Sequence, residues 1–332
     1  MPLAGEDRVK LQSLQEWIAD DLVSLEEEIG RLLRSDLPML EDICALLEKG
    51  KGKRFRPTLL LVIAKHAERA SAEAVFAAAC VEMVHTASLV HDDFLDEAST
   101  RRGLPTVNAQ WGASAALITG DWLYCKVFSR MMQRDMFDAT RIIARTCHSM
   151  SIAEMMQLER SRVLEMSEED YLTIIERKTA SVIEASCEIG ALLNPRLREH
   201  AAKFGLYGRQ VGLAFQITDD IFDYLGDDRQ LGKPVGGDWR EGRITLPFLA
   251  AWKQAPVGPR EALVRAIEQS DDPQSLWPDV KSFVQRNGGV EIAHERARSY
   301  GASAKEALSG IEVDPQRDIL ANAADYVLGR LR

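Results

Sequence analysis

The sequence predicts an all-α protein with one domain; two observations support the helical class and a third supports the single domain. Apolar residues recur at three- and four-residue steps in nearly every segment of the 332-residue chain, which is the spacing of one helix face. Alternating runs of valine, isoleucine and threonine, which would indicate strands, are hard to find. No proline- or serine-rich linker and no abrupt change of composition divides the chain. We therefore expect a single helical domain over residues 1–332.

The predicted helices follow one another from the N-terminus. The first, 14–33, carries leucine and isoleucine at helical steps. Pro57 fits the first turn of the second, where its missing N–H costs nothing, and this helix is expected to run through 58–70. Ser71 opens a third that ends in the acidic stretch HDDFLDE. Later helices are expected at 167–193, which begins with a capping box of Ser167 and Asp170 and is closed by Pro195, at 204–226, and over about 259–331.

Composition narrows the class of partner. Forty-one basic residues against 51 acidic ones give a net charge of −10, which argues against nucleic acid and leaves small basic clusters for a small anion. The five scattered cysteines argue against a disulfide framework or structural zinc. The N-terminus lacks the apolar core of a signal peptide, and the longest apolar run, near 58–64, is far short of the ~20 residues that span a bilayer. A cytoplasmic protein is expected.

Two acidic clusters stand out, each directly before an irregular segment, 97–112 or 224–243. Within each cluster the first and last aspartates lie four residues apart, so they share a helix face. Magnesium prefers carboxylate oxygens and often takes one or two of them together with phosphate oxygens. The alternative is that these are solvated helix faces, but two clusters in one helical chain favour a magnesium–diphosphate site. The aspartates are Asp92, Asp93 and Asp96, and Asp219, Asp220 and Asp223.

Basic residues could complete an anion site. Lys53, Arg54 and Arg56 stand just before a helix start, where the helix dipole favours phosphate, although KGKRFRP alone could equally be a solvated turn. Lys178 lies in mid-helix among apolar residues, where an unpaired lysine is costly. Lys233 lies in the glycine-rich segment, where it could close over a bound anion.

Together the stretches GKRFRP, HTASLVHDDFLDEASTRRG, ERKTASVIEA, FQITDDIFDYLGD and LGKPVGGDWREGRITLP resemble those of the trans-polyprenyl diphosphate synthases, in order and spacing, from about residue 10 to the C-terminus. The resemblance implies an isoprenoid synthase-type helical bundle around a central cavity, with the two aspartate motifs facing each other, and a homodimer. It implies a prenyltransferase that ionises a magnesium-held allylic diphosphate and joins the cation to isopentenyl diphosphate.

The resemblance also assigns roles to residues. All six aspartates named above would be magnesium ligands, some of them through water. The allylic diphosphate would be held by Arg101, Lys178, Thr179, Gln216 and Lys233. Isopentenyl diphosphate would be held by Lys53, Arg56, His85 and Arg102. The chain departs from the family at Lys51, where a glycine is usual, and at Arg243, where lysine is common; Arg243 is kept as a candidate substrate-binding residue.

Several interpretations stay open. The family's short-chain members commonly carry aromatic residues four and five positions before the first aspartate, where this chain has Ser88 and Ala87. We therefore expect a long-chain product in the hexaprenyl to decaprenyl range, with Val84 on the tunnel wall and Phe128, Met131 and Met132 as candidates for its floor. The alternatives are a farnesyl or geranylgeranyl diphosphate synthase, a terpene cyclase, a non-catalytic synthase subunit or a helical interaction protein. At most, peripheral membrane contact is expected, for product release.

Overall fold

The computed structural model describes residues 11–225, 235–312 and 316–329, and these are almost entirely helical, which confirms the all-α prediction. The helices of the N-terminal part are α1 Leu11–Glu16, α2 Ala19–Leu33, α3 Pro38–Lys49, α4 Phe55–Ala64, α5 Ala72–Leu95, α6 Val107–Trp111, α7 Ala113–Gln133 and α8 Phe137–Glu159. Strands β1 Thr100–Arg101 and β2 Leu104–Pro105 form a two-residue antiparallel hairpin between α5 and α6.

The remaining helices are α9 Glu168–Ile175, α10 Ser181–Leu192, α11 Ala201–Leu225, α12 Gly237–Arg240, α13 Leu246–Gln254, α14 Val257–Gln269, α15 Trp277–Arg286, α16 Gly289–Ala307 and α17 Gln316–Gly329. A π-helical turn, Glu176–Ala180, joins α9 to α10. Short 3₁₀ turns lie at Arg198–His200 and Pro273–Leu276.

The chain groups into two compact units. Unit 1 comprises Met1–His148, Val182–Gly208 and Ala307–Ala323, and unit 2 comprises Ser149–Ser181, Arg209–Glu306 and Ala324–Arg332. The boundaries at 148/149 and 208/209 fall inside α8 and α11 and not in linkers. The single domain over 1–332 stays a prediction, as does the facing of the two aspartate motifs, which belong to different units.

Unit 1 is built on α4 and α5. Nine of the ten residues of α4 are buried, and α5 is buried over most of its length. Gly190 of α10 lies so close to α4 that a Cβ there would be 2.7 Å from the Leu60 carbonyl oxygen, so only glycine permits this contact. Ser71 caps α5 as predicted, since its Oγ accepts from the Ala74 N–H at 3.1 Å.

Unit 2 has an aromatic core. Phe248 lies between Trp239, Trp252 and Phe283, with ring centroids 5.7–6.0 Å apart. The predicted cap at Ser167 is present, because its Oγ accepts from the Asp170 N–H at 2.9 Å. This core supports α9 and α11, which carry the second aspartate cluster and its neighbours.

Three sequence predictions of helix extent were wrong. The helix expected over 14–33 is divided into α1 and α2 by a turn at Trp17 and Ile18. The helix expected through 58–70 ends at Ala64, and Lys65–Ala70 form an irregular connection whose Ala70 N–H is held by the Asp21 carboxylate. The helix expected over 167–193 is interrupted by the π-helical turn. Apolar spacing does not reveal the turn, because the buried residues Ile175 and Val182 on either side of it stand seven residues apart, as they could in an uninterrupted helix.

Among the described residues, α5 is long and apolar enough to cross a membrane by length and composition alone. Two thirds of its most apolar stretch is buried inside the fold, as is usual for a core helix. The helix also carries Glu82 and Asp93, both buried. Its apolarity is therefore explained by its place in unit 1.

Candidate active site

The first aspartate cluster lies at the C-terminal end of α5. Asp92 is half-buried and Asp96 is exposed, and they stand one helical turn apart on one face. Asp93 is buried, and Arg101 donates from Nε to its Oδ1 at 2.7 Å. Burial raises the pKa of Asp93, while the Arg101 guanidinium opposes the rise. Asp93 is therefore turned toward the protein, and Asp92 and Asp96 are the carboxylates presented outward.

The β-hairpin after α5 places two arginines beside this cluster. Arg101 is held by Asp93, and Arg102 has a left-handed backbone with φ of 53°. The Arg102 guanidinium donates to the Gly50 carbonyl at 2.6 Å and lies against Gly52, where a Cβ would be 3.0 Å from it. Burial and the neighbouring Arg101 lower the pKa of Arg102. Arg101 and Arg102 thus bring two positive charges to the aspartate cluster at the end of α5, as a diphosphate site requires.

The turn before α4 divides its cations between two tasks. Arg54, with φ of 56°, is tied to Glu26 at 2.7 Å and Glu82 at 2.8 Å. Lys51, the departure from the family pattern, also pairs with Glu26, at 2.8 Å. Lys53 is exposed. Arg54 is therefore committed to the protein interior, and Lys53 and Arg56 are the cations that this turn offers to a ligand.

His85 joins the same cationic patch. The Arg56 guanidinium donates to His85 Nε2 at 3.1 Å, so the ring carries its proton on Nδ1. Burial, together with Arg56 and three further arginines, holds the pKa of His85 well below its usual value. The ring is thus neutral and orients Arg56. His85 of α5 and Arg101 and Arg102 of the hairpin line one cavity in unit 1. Residues of α3 line the same cavity.

In unit 2 the π-helical turn presents Lys178 and Thr179. Lys178 Nζ pairs with Glu154 at 2.6 Å and donates to Gln157 at 3.4 Å. The positive charge of this half-buried lysine is therefore balanced by a carboxylate of α8. π-Helical turns occur frequently at functional sites, because the widened turn re-aims side chains. Here it aims two adjacent polar residues away from the apolar core.

A chain of hydrogen bonds links Thr179 to the second aspartate cluster. Thr179 Oγ1 donates to Gln216 at 2.7 Å, and the Gln216 amide donates to Asp220 at 2.8 Å. The Tyr171 hydroxyl donates to the other oxygen of Asp220 at 2.6 Å. Burial first, and then repulsion by Asp238, raise the pKa of Asp220 well above its usual range. A buried carboxylate in such surroundings is one that a nearby cation would stabilise.

The other two aspartates of this cluster differ from each other. Asp219 is half-buried. Asp223 is buried and accepts backbone N–H groups from the segment Gly236–Asp238. Arg243 pairs with Asp238, at 3.0 Å from Nε, and with Glu241. Arg243 is thus held between two carboxylates of its own segment.

The donors of each cluster suit a divalent cation. The aspartates that are not wholly buried are Asp92 and Asp96 in unit 1 and Asp219 in unit 2. Across the residues that the structure describes, no three His, Cys, Asp or Glu side chains converge to hold a metal without help. Hard cations that keep water and take phosphate oxygens need only one or two carboxylates each. Each cluster therefore fits a metal that arrives with, or is completed by, a diphosphate.

The predicted chain-length residues lie on α5 and α7. Val84 and Ala87 are fully buried in α5, Ser88 is half-buried and donates to the His85 carbonyl at 2.8 Å, and Phe128 is half-buried in α7. Their roles in chain length stay predictions. Lys233, predicted to hold the allylic diphosphate, lies outside the described residues.

Sequence reasoning missed three contributors: Tyr171, Glu154 and Asp238. Tyr171 stands seven residues before Lys178, a two-turn spacing that could have suggested a shared face. Glu154 is a carboxylate on another helix, and no local pattern links it to Lys178.

The chain is similar to known proteins over most of its length. The polyprenyl synthetase family profile matches residues 37–281. The heptaprenyl diphosphate synthase component 2 of Geobacillus stearothermophilus is 34% identical over 320 residues, 96% of this chain and 98% of that protein. A short chain isoprenyl diphosphate synthase of Methanothermobacter thermautotrophicus is 34% identical over 283 residues, 84% of this chain and 86% of that protein.

One solved structure is similar throughout. It is the polyprenyl synthase from Caulobacter crescentus complexed with calcium and isoprenyl diphosphate, which is 31% identical. The two structures superpose with a TM-score of 0.88 and cover 98% of this chain and 99% of the other.

Proposed function

This chain belongs to the polyprenyl synthetase family and is a prenyltransferase, and on that premise we propose that it is a magnesium-dependent synthase of long all-trans polyprenyl diphosphates. It would condense isopentenyl diphosphate onto an allylic diphosphate. One observation carries the proposal: each unit has both aspartates that are not wholly buried and cationic side chains, Asp92 and Asp96 with Arg101 and Arg102 in unit 1, and Asp219 with Lys178 in unit 2. Carboxylates alone would repel a diphosphate, and cations alone would not require six aspartates.

The two diphosphates would be recognised differently. Lys53, Arg56 and Arg102 are cations that hold isopentenyl diphosphate, with neutral His85 fixing the Arg56 fork. Arg101 and Lys178 supply positive charge to the allylic diphosphate, and Lys178 would exchange its partner Glu154 for phosphate oxygens. Thr179 and Gln216 add neutral polar groups that the hydrogen-bond chain to Asp220 keeps in place.

Bound magnesium would neutralise charge that develops on the leaving diphosphate. Asp92 and Asp96 in unit 1, and Asp219 in unit 2, are the aspartates that would hold it, because they are not wholly buried. The arginine and lysine groups add fixed positive charge where the leaving group departs, which is the kind of stabilisation that contributes most to catalysis. Apolar helix faces around the allylic carbon exclude water, which would otherwise capture the cation.

A long-chain product is supported by the small residues on α5 above the first aspartate. Ala87 is fully buried and Ser88 half-buried, so neither closes the path of a growing chain as an aromatic ring would. The heptaprenyl relative also matches nearly the whole chain. The alternative is a short-chain product, because a short-chain relative has the same identity over a shorter span.

We also propose a homodimer. Leu117, Ile118 and Met132 on α7 are 47%, 65% and 48% exposed, and contact with a second copy would remove this apolar surface from water. The name of the heptaprenyl relative, a component 2, makes a second, different subunit the alternative. Size-exclusion chromatography with light scattering on the purified chain separates dimer from monomer. We place the enzyme in the cytoplasm, with at most peripheral membrane contact.

The proposed function is tested by incubating the protein with radiolabelled isopentenyl diphosphate, an allylic primer and magnesium, and by sizing the products. Chelator should abolish elongation and magnesium should restore it. Asp92→Ala and Asp219→Ala should lower the rate by orders of magnitude with the helical circular dichroism unchanged. Asp42→Ala, which removes an exposed carboxylate of α3, is the matched control and should behave as wild type. Metal-independent elongation, or near-normal activity of Asp92→Ala, would refute the metal assignment.

A further inference from the structure

The two polar side chains of the π-helical turn reach different helices. Thr179 Oγ1 donates to Gln216 of α11 at 2.7 Å. Lys178 Nζ instead pairs with Glu154 Oε1 of α8 at 2.6 Å. The ammonium group that the proposed function assigns to the allylic diphosphate is therefore in contact with an anion of the protein itself.

This ion pair is close and mostly shielded from water. The side chains of Lys178 and Glu154 are each 24% exposed. Opposite charges attract more strongly where water is partly excluded, and removing one of them would leave the other half-buried without its counter-charge. Glu154 thus allows the chain to keep a lysine at this position of the π-helical turn.

A second group on α8 holds the lysine without adding charge. The Gln157 side-chain oxygen accepts from Lys178 Nζ at 3.4 Å. Gln157 and Glu154 are three residues apart on one helix, so both reach Lys178 from the same side. When the ammonium group leaves the carboxylate for a phosphate oxygen, the Gln157 amide can remain in contact. The neutral group therefore keeps Lys178 in place, and the charged group is the one that competes for it.

We propose that Glu154 is a positioning residue that acts through Lys178: it competes with diphosphate for the ammonium group and so weakens the binding of every diphosphate at that site. The inference rests on the proposed function, in which Lys178 binds the allylic diphosphate. A carboxylate at contact distance is a competitor of high effective concentration. The affinity for diphosphate is reduced in proportion to the fraction of time for which Glu154 holds the lysine.

The competition has a consequence for turnover. Each condensation leaves pyrophosphate at the site, and it must depart before the next allylic diphosphate can occupy its place. Differences in affinity between related complexes appear mainly in the dissociation rate, so Glu154 would speed the departure of pyrophosphate. It would weaken the allylic substrate by the same factor, because both ligands use a diphosphate group to contact Lys178.

The substitution Glu154→Gln tests for competition, because it keeps the size of the side chain and an acceptor oxygen while removing the charge. The variant should bind inorganic pyrophosphate with magnesium about three- to tenfold more tightly than wild type in isothermal titration calorimetry, slightly more than an exposed ion pair would give. Glu159→Gln, which removes a charge from an exposed position of the same helix, is the matched control and should bind as wild type. Equal or weaker binding by Glu154→Gln would overturn the proposal, because a carboxylate that only supported the lysine would not compete for it.

Steady-state kinetics give a second readout that a purely structural role would not change in this direction. In Glu154→Gln the KM for the allylic diphosphate and the inhibition constant of pyrophosphate should fall by a common factor, with the KM for isopentenyl diphosphate unchanged. In a Lys178→Gln background the same substitution should alter pyrophosphate binding less than about twofold, since the group under competition is absent. A gain of equal size in both backgrounds would mean that Glu154 repels diphosphate directly, and the role assigned through Lys178 would fail.

Should Glu154→Gln not fold, Gln157→Glu gives the opposite test, because it adds a second carboxylate beside Lys178 Nζ. This variant should weaken pyrophosphate binding about tenfold, and unchanged or tighter binding would overturn the proposal. Failure of the proposed function would look different. A wild type that neither bound pyrophosphate with magnesium nor extended an allylic primer would refute both ideas, whereas an active wild type matched in binding by Glu154→Gln would refute the competition alone.

Discussion

Gly212 of α11 lets this helix approach the π-helical turn, and replacing it by alanine should separate the two. A Cβ at Gly212 would lie 2.5 Å from Ala180 Cα and 2.7 Å from Ala180 Cβ, whereas ordinary contact begins near 3.4 Å. The helices would have to move apart by about 1 Å, and overpacking of this kind costs about 1–3 kcal/mol. The Thr179–Gln216 hydrogen bond, now 2.7 Å, would then exceed the usual length of an O–H···O bond.

Gly205 provides the matched control because it lies on the same helix. A Cβ there would meet the side chains of Glu184 and Glu188 at 3.6 Å, which is ordinary contact. Both substitutions gain about 1 kcal/mol of helix propensity. The difference in the free energy of unfolding between the two variants is therefore the cost of overpacking. The unfolding temperature of Gly212→Ala should lie roughly 2–8 °C below that of Gly205→Ala.

The assay is thermal unfolding combined with steady-state kinetics. Loss of one positioning hydrogen bond should lower kcat/KM for the allylic substrate about tenfold in Gly212→Ala, with little change for isopentenyl diphosphate. Gly205→Ala should keep wild-type kinetics. If the two variants had the same unfolding temperature and the same kcat/KM, the close approach at Gly212 would not be what positions Gln216.

Three further predictions concern pH, substrate recognition and product length. Because the pKa of His85 is depressed in the fold, wild type should lose stability as pH falls below the usual value of 6.5. Over the same range His85→Gln should lose less free energy of unfolding in denaturant titrations, by at most about 2 kcal/mol at pH 5, and parallel curves would contradict this. Lys53→Ala should mainly raise KM for isopentenyl diphosphate and Lys178→Ala should mainly impair use of the allylic substrate, and equal effects on both substrates would refute the division. Ser88→Phe should shorten the product sharply when product chain length is measured. A wild-type enzyme that stopped at farnesyl or geranylgeranyl diphosphate would show that the tunnel is already closed at the level of Ser88 or nearer to the first aspartate cluster.

Helix caps and shared helix faces could be predicted from the sequence, because they depend on residues within one helical turn. Ser71 and Ser167 cap helices as expected, because a cap is decided within four residues. The i, i+4 spacing correctly placed Asp92 and Asp96 on one face. The same rule could not distinguish Asp223 from Asp219, since the difference arises from N–H groups thirteen to fifteen residues further along the chain.

Other features depend on contacts that no spacing encodes. Arg54 belongs to the same basic run as Lys53 and Arg56, yet carboxylates on two other helices, Glu26 and Glu82, draw it inward. Lys178 was suspected because a mid-helix lysine needs a partner, but the partner, Glu154, is visible only when α8 is in place. The sequence thus predicted which residues carry charge to the site, and packing decided which of them remain available to a ligand.

The π-helical turn at Glu176–Ala180 has a consequence for how this chain can vary. Such a turn amounts to one extra residue in an α-helix, and each residue of a helix turns the next one by about 100° around the axis. Deleting one residue there would restore a regular helix that is intrinsically more favourable. It would also swing the buried face of α10, including Val182 and Ile183, out of the core that it now enters. The number of residues between Tyr171 and Val182 is therefore constrained by packing, in addition to the constraint that ligand binding places on the identity of Lys178 and Thr179.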